Sequence, residues 1–286
     1  MRIFLQLLLA ALPATTFERS SKRGLVFTPA KPFPADDQYW IQPSSDLTWY
    51  YNYMAQPSPQ YANISQSKFE FIPMMWGAPT NTSDNTFSDT VQSLIFNGMD
   101  IQHVLTFNEP DGPEIVPLQQ MGIKAVAPAV TQRSLPWLAN FYGNCTSCNP
   151  DFIPLHFYGD YKDFTTYVGS VVFAYPNTPI WITEYTYDHQ SLQTTQDFFN
   201  ISAKYLDGTS FIERYSYFEA FRSYGSNVGL NAAMLTTGGL LTSIGSWYLG
   251  GAATNNIRTG PGSAASHTVS MPVVVSLIES YRSSEC

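Results

Sequence analysis

Two short runs of the 286-residue chain close an apolar, β-rich stretch on a glutamate. VLTFNEPDG ends one stretch on Asn108 and Glu109, and IWITEYTY ends another on Glu184. A glutamate that caps or enters an apolar strand is costly unless it is paired or functional. Two carboxyls held about 5 to 5.5 Å apart can cleave a glycosidic bond with retention: one protonates the leaving oxygen while the other attacks the anomeric carbon. A salt bridge at a strand end is the competing explanation for either glutamate alone. It accounts less well for both together in these two contexts.

Such chemistry needs a scaffold that brings two distant strand ends to one place. Eight β-rich runs recur along the chain: Arg23 to Thr28, Leu47 to Tyr53, Phe69 to Trp76, His103 to Asn108, Ile123 to Pro128, Phe152 to Tyr158, Ile180 to Tyr185 and Glu213 to Phe218. Helical patterns lie between them. Phe87, Val91, Leu94 and Ile95 share a face after Ser83-Asp84 and stop at Gly98; Phe198, Ile201 and Tyr205 repeat the pattern up to Gly208; Leu240 to Leu249 supplies a closing helix. Strands alternating with helices imply a parallel sheet, and eight units without a nucleotide-binding glycine loop favour a closed (β/α)8 TIM barrel over a doubly wound sheet. A barrel takes roughly 250 residues. Residues 23–251 are therefore expected to form one domain, with 252–286 as a flexible tail and no room for a second domain.

In a barrel the reactive groups project from the C-terminal strand ends. The fourth and seventh runs, which end on Glu109 and Glu184, lie on opposite sides of the mouth. Trp76, at the end of the third run beside Gly77, is a candidate sugar-stacking platform or else a core aromatic, and Trp49 poses the same question. His156 and Tyr158 alternate on the sixth run and share a face, so both point into the mouth if either does. Asn52, amid aromatics, is a candidate ligand contact or a turn cap. Glu219 and Asp188 read as surface or loop-bracing carboxylates. His103, His189 and His267 show no ligand spacing, so neither a metal nor any other cofactor is expected.

Composition narrows the partner. The chain carries 14 basic and 22 acidic side chains, a formal charge of −8, which repels phosphate backbones and anionic membrane surfaces. A neutral polysaccharide is compatible with this charge, and the 15% aromatic content exceeds what packing demands. Residues 1–22 begin Met-Arg, continue as an apolar stretch from Ile3 to Leu12 and reach Pro13-Ala14, the layout of a secretory signal peptide. That stretch is too short to span a bilayer of roughly 30 Å, so no membrane span is expected in the mature chain. Lys22-Arg23 is a candidate propeptide cleavage point. Sequons at Asn63, Asn81, Asn144 and Asn200 agree with secretion. Cys145 and Cys148 are expected to close a small disulfide in an oxidising compartment, and no second Cys/His pair exists to complete a zinc site. These features predict a secreted or cell-wall monomer.

Asn108-Glu109-Pro110 after the fourth run and Glu184 after the seventh resemble the large clan of retaining (β/α)8 glycosidases. Closer still is glycoside hydrolase family 128, the fungal endo-β-1,3-glucanases, with a likeness running from Arg23 to about Gly250. It is carried by Trp49-Tyr50-Tyr51-Asn52-Tyr53, by Pro73-Met74-Met75-Trp76-Gly77, and by Cys145-x-x-Cys148 followed by Asp151-Phe152 and His156-Phe157-Tyr158-Gly159. The resemblance implies that Glu109 is the general acid/base, that Glu184 is the nucleophile, that Asn108 orients the sugar or the nucleophile, and that the substrate is β-1,3-glucan. Phe157 departs from the family's expected Trp, which bears on local hydrogen bonding and subsite preference. Two alternatives stay open: a hydrolase of β-mannan or of β-1,4- or β-1,6-glucan, and a cell-wall glucan-binding protein that has lost catalysis. The presence of both glutamates argues against the second.

Overall fold

The computed structural model describes residues 20–29, 32–77, 81, 83–106, 124–125, 128–131, 135–144 and 150–258. The strands are β1 (Arg23–Val26), β2 (Trp49–Tyr51), β3 (Glu70–Phe71), β4 (His103–Val104), β5 (Lys124–Ala125), β6 (Val130–Thr131), β7 (Ile153–Tyr158), β8 (Ile180–Thr186) and β9 (Ile212–Tyr217). Seven of them form a parallel sheet in the order β3-β2-β1-β9-β8-β7-β6, and β4 pairs with β5. A parallel bridge from Met74 to Leu105 joins the third run to the fourth. The fifth run supplies β5, paired with β4, and β6, just beyond the end of that run, pairs with β7. All eight runs supply parallel strands in barrel order, and the fold is a (β/α)8 barrel.

Strand alternation sorts the apolar side chains into two layers. Val26, Trp49, Tyr51, Ile72, Met74, Leu105, Phe152 and Trp181 point inward and fill the barrel. Leu25, Tyr50, Leu155, Phe157, Ile182 and Tyr185 point outward into the layer shared with the helices. The interior is crowded with indoles: the ring centroids of Phe152 and Trp181 are 3.8 Å apart and those of Trp49 and Trp181 5.4 Å. Gly24 on β1 answers that crowding, since a Cβ there would lie 2.1 Å from Trp49 Cε2. At the barrel floor the Glu70 carboxyl lies 2.6 Å from His103 Nδ1 and 2.7 Å from Arg214 Nη2. Burial alone would raise its pKa, but His103 and Arg214 outweigh burial and hold it below the ordinary glutamate value.

The helices are α1 (Thr86–Phe96), α2 (Leu135–Asn144), α3 (Tyr161–Ala174), α4 (Leu192–Gly208) and α5 (Ser243–Tyr248). Gly98, with φ +91°, ends the first as expected and donates its N–H to Ile95 O. On α4 the inward face is Thr195, Phe198, Phe199, Ser202, Ala203 and Leu206, whereas Ile201 is 46% exposed. The stripe therefore runs one step round the helix from the predicted one. The last helix starts at Ser243 rather than Leu240, because the Thr242 side chain caps it by accepting from Gly245 N–H.

Residues at and just beyond both expected domain ends also make contacts with the fold. Lys22 Nζ donates to the carbonyls of Leu206 and Thr209, and the buried Arg23 pairs with Asp46 and Asp207 and donates to the carbonyls of Trp247 and Tyr248. The dibasic pair is thus part of the fold, and a cut after Arg23 would sever β1 from these partners. At the other end, residues 252–258 are anchored rather than free. Ala252 O accepts from Ser246 Oγ, Thr254 Oγ1 and Asn256 Nδ2 donate to Leu241 O, and the buried Arg258 donates twice to Ala233 O. Residues 1–19 and 259–286 lie outside the described residues. No described helix is long and apolar enough to cross a membrane.

Candidate active site

Glu184 reaches the barrel mouth through a register shift. On β7, Leu155 pairs with Ile182 and the next residue, His156, pairs with Glu184; on β9, Tyr215 pairs with Ile182 and Tyr217 with Tyr185. Both neighbours skip a residue between Ile182 and Tyr185, which is the signature of a β-bulge. Trp181 points into the barrel, so strict alternation would turn Glu184 outward with Ile180 and Ile182. The extra residue reverses the parity: Thr183 and Glu184 both face inward, and Tyr185 returns to the helix layer. The carbonyl of the bulged Thr183 accepts from Tyr51 Oη at 3.0 Å and from Ser216 Oγ.

Tyrosine hydroxyls surround the carboxylate. Tyr53 Oη donates to Glu184 Oε1 at 2.7 Å and Tyr158 Oη to Oε2 at 2.6 Å, while Tyr51 Oη lies 3.3 Å from Oε1. Burial first, and then the Glu184 charge, push the Tyr53 and Tyr158 hydroxyls well above the ordinary tyrosine range. Both remain protonated donors at any working pH. His156 Nδ1 lies 3.5 Å from Oε2, and burial pushes its pKa down against the pull of Glu184. It is therefore a neutral imidazole near pH 7. Beneath Glu184, Tyr51, Leu105, Thr106, His156 and Thr183 line a small cavity into which the fourth barrel position also leads.

The expected site residues fall into three groups. Tyr158 and His156 contact Glu184, and Trp76 is half-buried against the interior cluster alongside Tyr53 and Phe218, at the mouth. For two others the contacts favour the alternative that the sequence also left open. Trp49 is 1% exposed in the barrel interior with its indole N–H on Lys22 O, so it is core and reaches no ligand. Asn52 braces the loop after β2: its Nδ2 donates to Gln56 O and Ser58 Oγ, and its Oδ1 accepts from Met54 N–H. Asn108, Glu109, Cys145 and Cys148 lie outside the described residues. Asn63, Asn81 and Asn144 are exposed, whereas Asn200 is half-buried within α4. Among the described residues no group of three or more His, Cys, Asp or Glu side chains gathers as a metal site.

Sequence reasoning misses three features. Tyr51 and Tyr53 follow Trp49 at period two and share its inward face, a signal present in the run WYYNY. Phe157, expected to bear on the cleft, instead faces the helix layer, with ring centroids 5.1 Å from Phe164 and 6.2 Å from Tyr167. Its departure from Trp therefore alters packing between β7 and α3. Of the two readings of Glu219 the loop-bracing one holds, and its burial is what the sequence did not signal. Glu219 is fully buried just past β9 with φ +144°, its Oε1 accepts from Ser226 Oγ at 2.9 Å, and its Oε2 has no partner among the described residues.

A closed barrel with a carboxylate at the C-terminal end of a strand has it where barrel enzymes carry their active sites. The chain belongs to the glycosyl hydrolase catalytic core family, whose model matches residues 24–115 and 113–248. It is 28% identical over 256 residues to alkali-sensitive linkage protein 1 of Schizosaccharomyces pombe, covering 80% of this chain and 44% of that protein, and so spans less than half the length of this relative. Among solved structures it resembles a family 128 subgroup VI exo-β-1,3-glucanase from Aureobasidium namibiae (TM-score 0.65, 17% identity, 82% of this chain and 97% of the other). It also resembles a variant of a family 128 subgroup I endo-β-1,3-glucanase from Amycolatopsis mediterranei bound to laminarihexaose (TM-score 0.59, 26% identity, 81% and 99%).

Proposed function

We propose that this chain is a secreted, retaining glycoside hydrolase that cleaves β-1,3-glucan internally, with Glu184 as nucleophile and Glu109 as general acid/base. The observation that carries the reading is the delivery of Glu184 to the mouth by a bulge, with a tyrosine hydroxyl on each carboxylate oxygen. The β-1,3-glucanase activity of the similar family 128 structures supports the choice of substrate. In the first step a Glu184 oxygen bonds to the anomeric carbon, the glycosidic C–O bond breaks, and Glu109 gives its proton to the departing oxygen. In the second, water attacks the anomeric carbon, its proton passes to Glu109, and the Glu184 ester bond breaks. Tyr53 and Tyr158 hold the carboxylate in one orientation throughout, so the attacking oxygen is positioned before substrate arrives. Trp76 offers a stacking face beside them, and no cofactor is required.

The test is chemical rescue. The protein is assayed on a panel of β-1,3-, β-1,4- and β-1,6-glucans and β-mannan, and the products are sized. Glu109→Ala and Glu184→Ala are then supplied with azide and an activated aryl glycoside. Glu109→Ala should yield the β-glycosyl azide, by attack on the intact glycosyl-enzyme, and Glu184→Ala the α anomer. Exchanged anomers would reverse the roles, unaltered activity in both variants would overturn the mechanism, and cleavage only outside β-1,3-glucan would overturn the substrate.

A further inference from the structure

The mouth carries an aromatic strip of which the catalytic reading uses only Tyr158. From Tyr158, whose hydroxyl sits on Glu184, ring contacts continue to Phe218 at 5.9 Å and from Phe218 to Phe221 at 5.9 Å, both nearly edge-to-face. All three residues are half-buried. Phe218 extends the inward face of β9 marked by Arg214 and Ser216, so the strip begins inside the mouth and climbs out along the loop that follows.

The backbone of this turn is held at each step. Phe218 N–H donates to Tyr185 O, Met234 N–H to Glu219 O, and Leu235 N–H to Phe221 O. Glu219, between the two phenylalanines, adopts φ +144°, a conformation that side chains rarely take and that surrounding structure must impose. Its buried carboxyl is tied through Ser226 Oγ, which also lies 2.9 Å from Gly229 O. The turn that this strained, buried anchor fixes also presents the two half-buried rings. Arg222, next to Phe221 in the chain, is paired bidentately with Asp36 at 2.6 and 3.0 Å and so offers no free charge to an anion. A neutral ligand with apolar ring faces fits this surface.

We propose that Phe218 and Phe221, presented by the Glu219 turn, form a platform for the glucose units of a β-glucan that lie beyond the unit held at Glu184. This deepens the hydrolase reading and rests on it for the identity of the ligand. Glu219 touches no substrate and acts as a positioning residue.

Calorimetric binding of laminarihexaose and steady-state kinetics test it on Phe218→Ala, Phe221→Ala, Phe221→Leu and Phe221→Trp. Phe221→Leu keeps apolar volume without a flat ring, so it guards against misfolding of the alanine variants. Both Ala variants and Phe221→Leu should bind hexaose about three- to tenfold more weakly. The loss should fall on KM rather than kcat, vanish on an aryl glucoside too short to reach the strip, and be restored by Phe221→Trp. Wild-type affinity in folded Phe221→Ala and Phe221→Leu, or an equal loss on both substrates, would overturn the platform. Wild-type protein that binds hexaose without cleaving it would overturn the hydrolytic reading while leaving the binding comparison intact.

Discussion

Replacing Glu219 with glutamine should change how stability depends on pH. The carboxyl is fully buried and one oxygen has no partner among the described residues. Burial pushes its pKa well above the ordinary glutamate value, against smaller opposing pulls from Ser226 and Arg258. Arg258 does not neutralise it by direct pairing, because Nε and Nη2 are committed to Ala233 O. In the unfolded chain Glu219 titrates at about pH 4.3. Between that pH and its raised folded value, the native state holds one proton more than the unfolded state. The favourable contribution is fully present below the unfolded pKa and is lost as pH rises through the folded one, at about 1.4 kcal/mol per pH unit. A glutamine at this position cannot ionise and keeps an oxygen for Ser226, so Glu219→Gln removes this slope alone. The variant's stability relative to wild type should therefore climb by about 1.4 kcal/mol per pH unit above roughly pH 5, or about 3 to 6 °C in Tm for a domain of this size. Thermal unfolding of both proteins at half-unit steps from pH 4 to 7 measures the difference directly, since the other titrating groups cancel. Parallel curves would mean that Glu219 is ionised in the fold and would refute the buried-acid account.

Two further perturbations follow from single contacts. Tyr158→Phe removes the 2.6 Å hydrogen bond to Glu184 Oε2; a bond to a charged group contributes about 1.5–3 kcal/mol, so kcat/KM on laminarin should fall roughly 10- to 150-fold, and an unchanged value would show that the hydroxyl does not serve the reacting state. Gly24→Ala forces a Cβ to within 2.1 Å of Trp49 Cε2, so overpacking should cost at least about 1–3 kcal/mol by urea unfolding, and an unmoved midpoint would show that the indole has room to shift.

The fold was legible because its signals are local and repeated. Eight short β-rich runs with helical patterns between them pointed to the strands, and Gly98, which takes the left-handed conformation that ends α1, marked a boundary through its chemistry rather than its neighbours. Legibility failed where tertiary contact decides the outcome. Ile201 matches a helical stripe as well as Phe199 does, and only the angle at which α4 meets the barrel turns Ile201 to solvent. Trp49 and Trp76 are the same residue type at comparable distances from turns. One lies deep in the barrel, where Gly24 makes space for it, and the other lies at the strand end, a difference of depth along the barrel axis that residue type does not encode.

The site shows the same limit at its centre. Glu184 stands out in the sequence because it ends an apolar strand, yet alternation from Trp181 taken literally points it away from the mouth, toward the helices. What reverses the parity is the bulge at Thr183, and nothing in IWITEYTY announces it, for the run contains neither glycine nor proline. Its stability comes from elsewhere in the chain: the carbonyl it frees is met by Tyr51 on β2 and Ser216 on β9. Those hydroxyls are therefore as necessary to the direction of the carboxylate as Tyr53 and Tyr158 are to its orientation. The run WYYNY does place Tyr51 and Tyr53 on one face, but their common target, 131 residues along the chain from Tyr53, exists only once the barrel has closed. A functional glutamate can thus be recognised by its cost at a strand end, while the groups that make that cost tolerable are visible only in three dimensions.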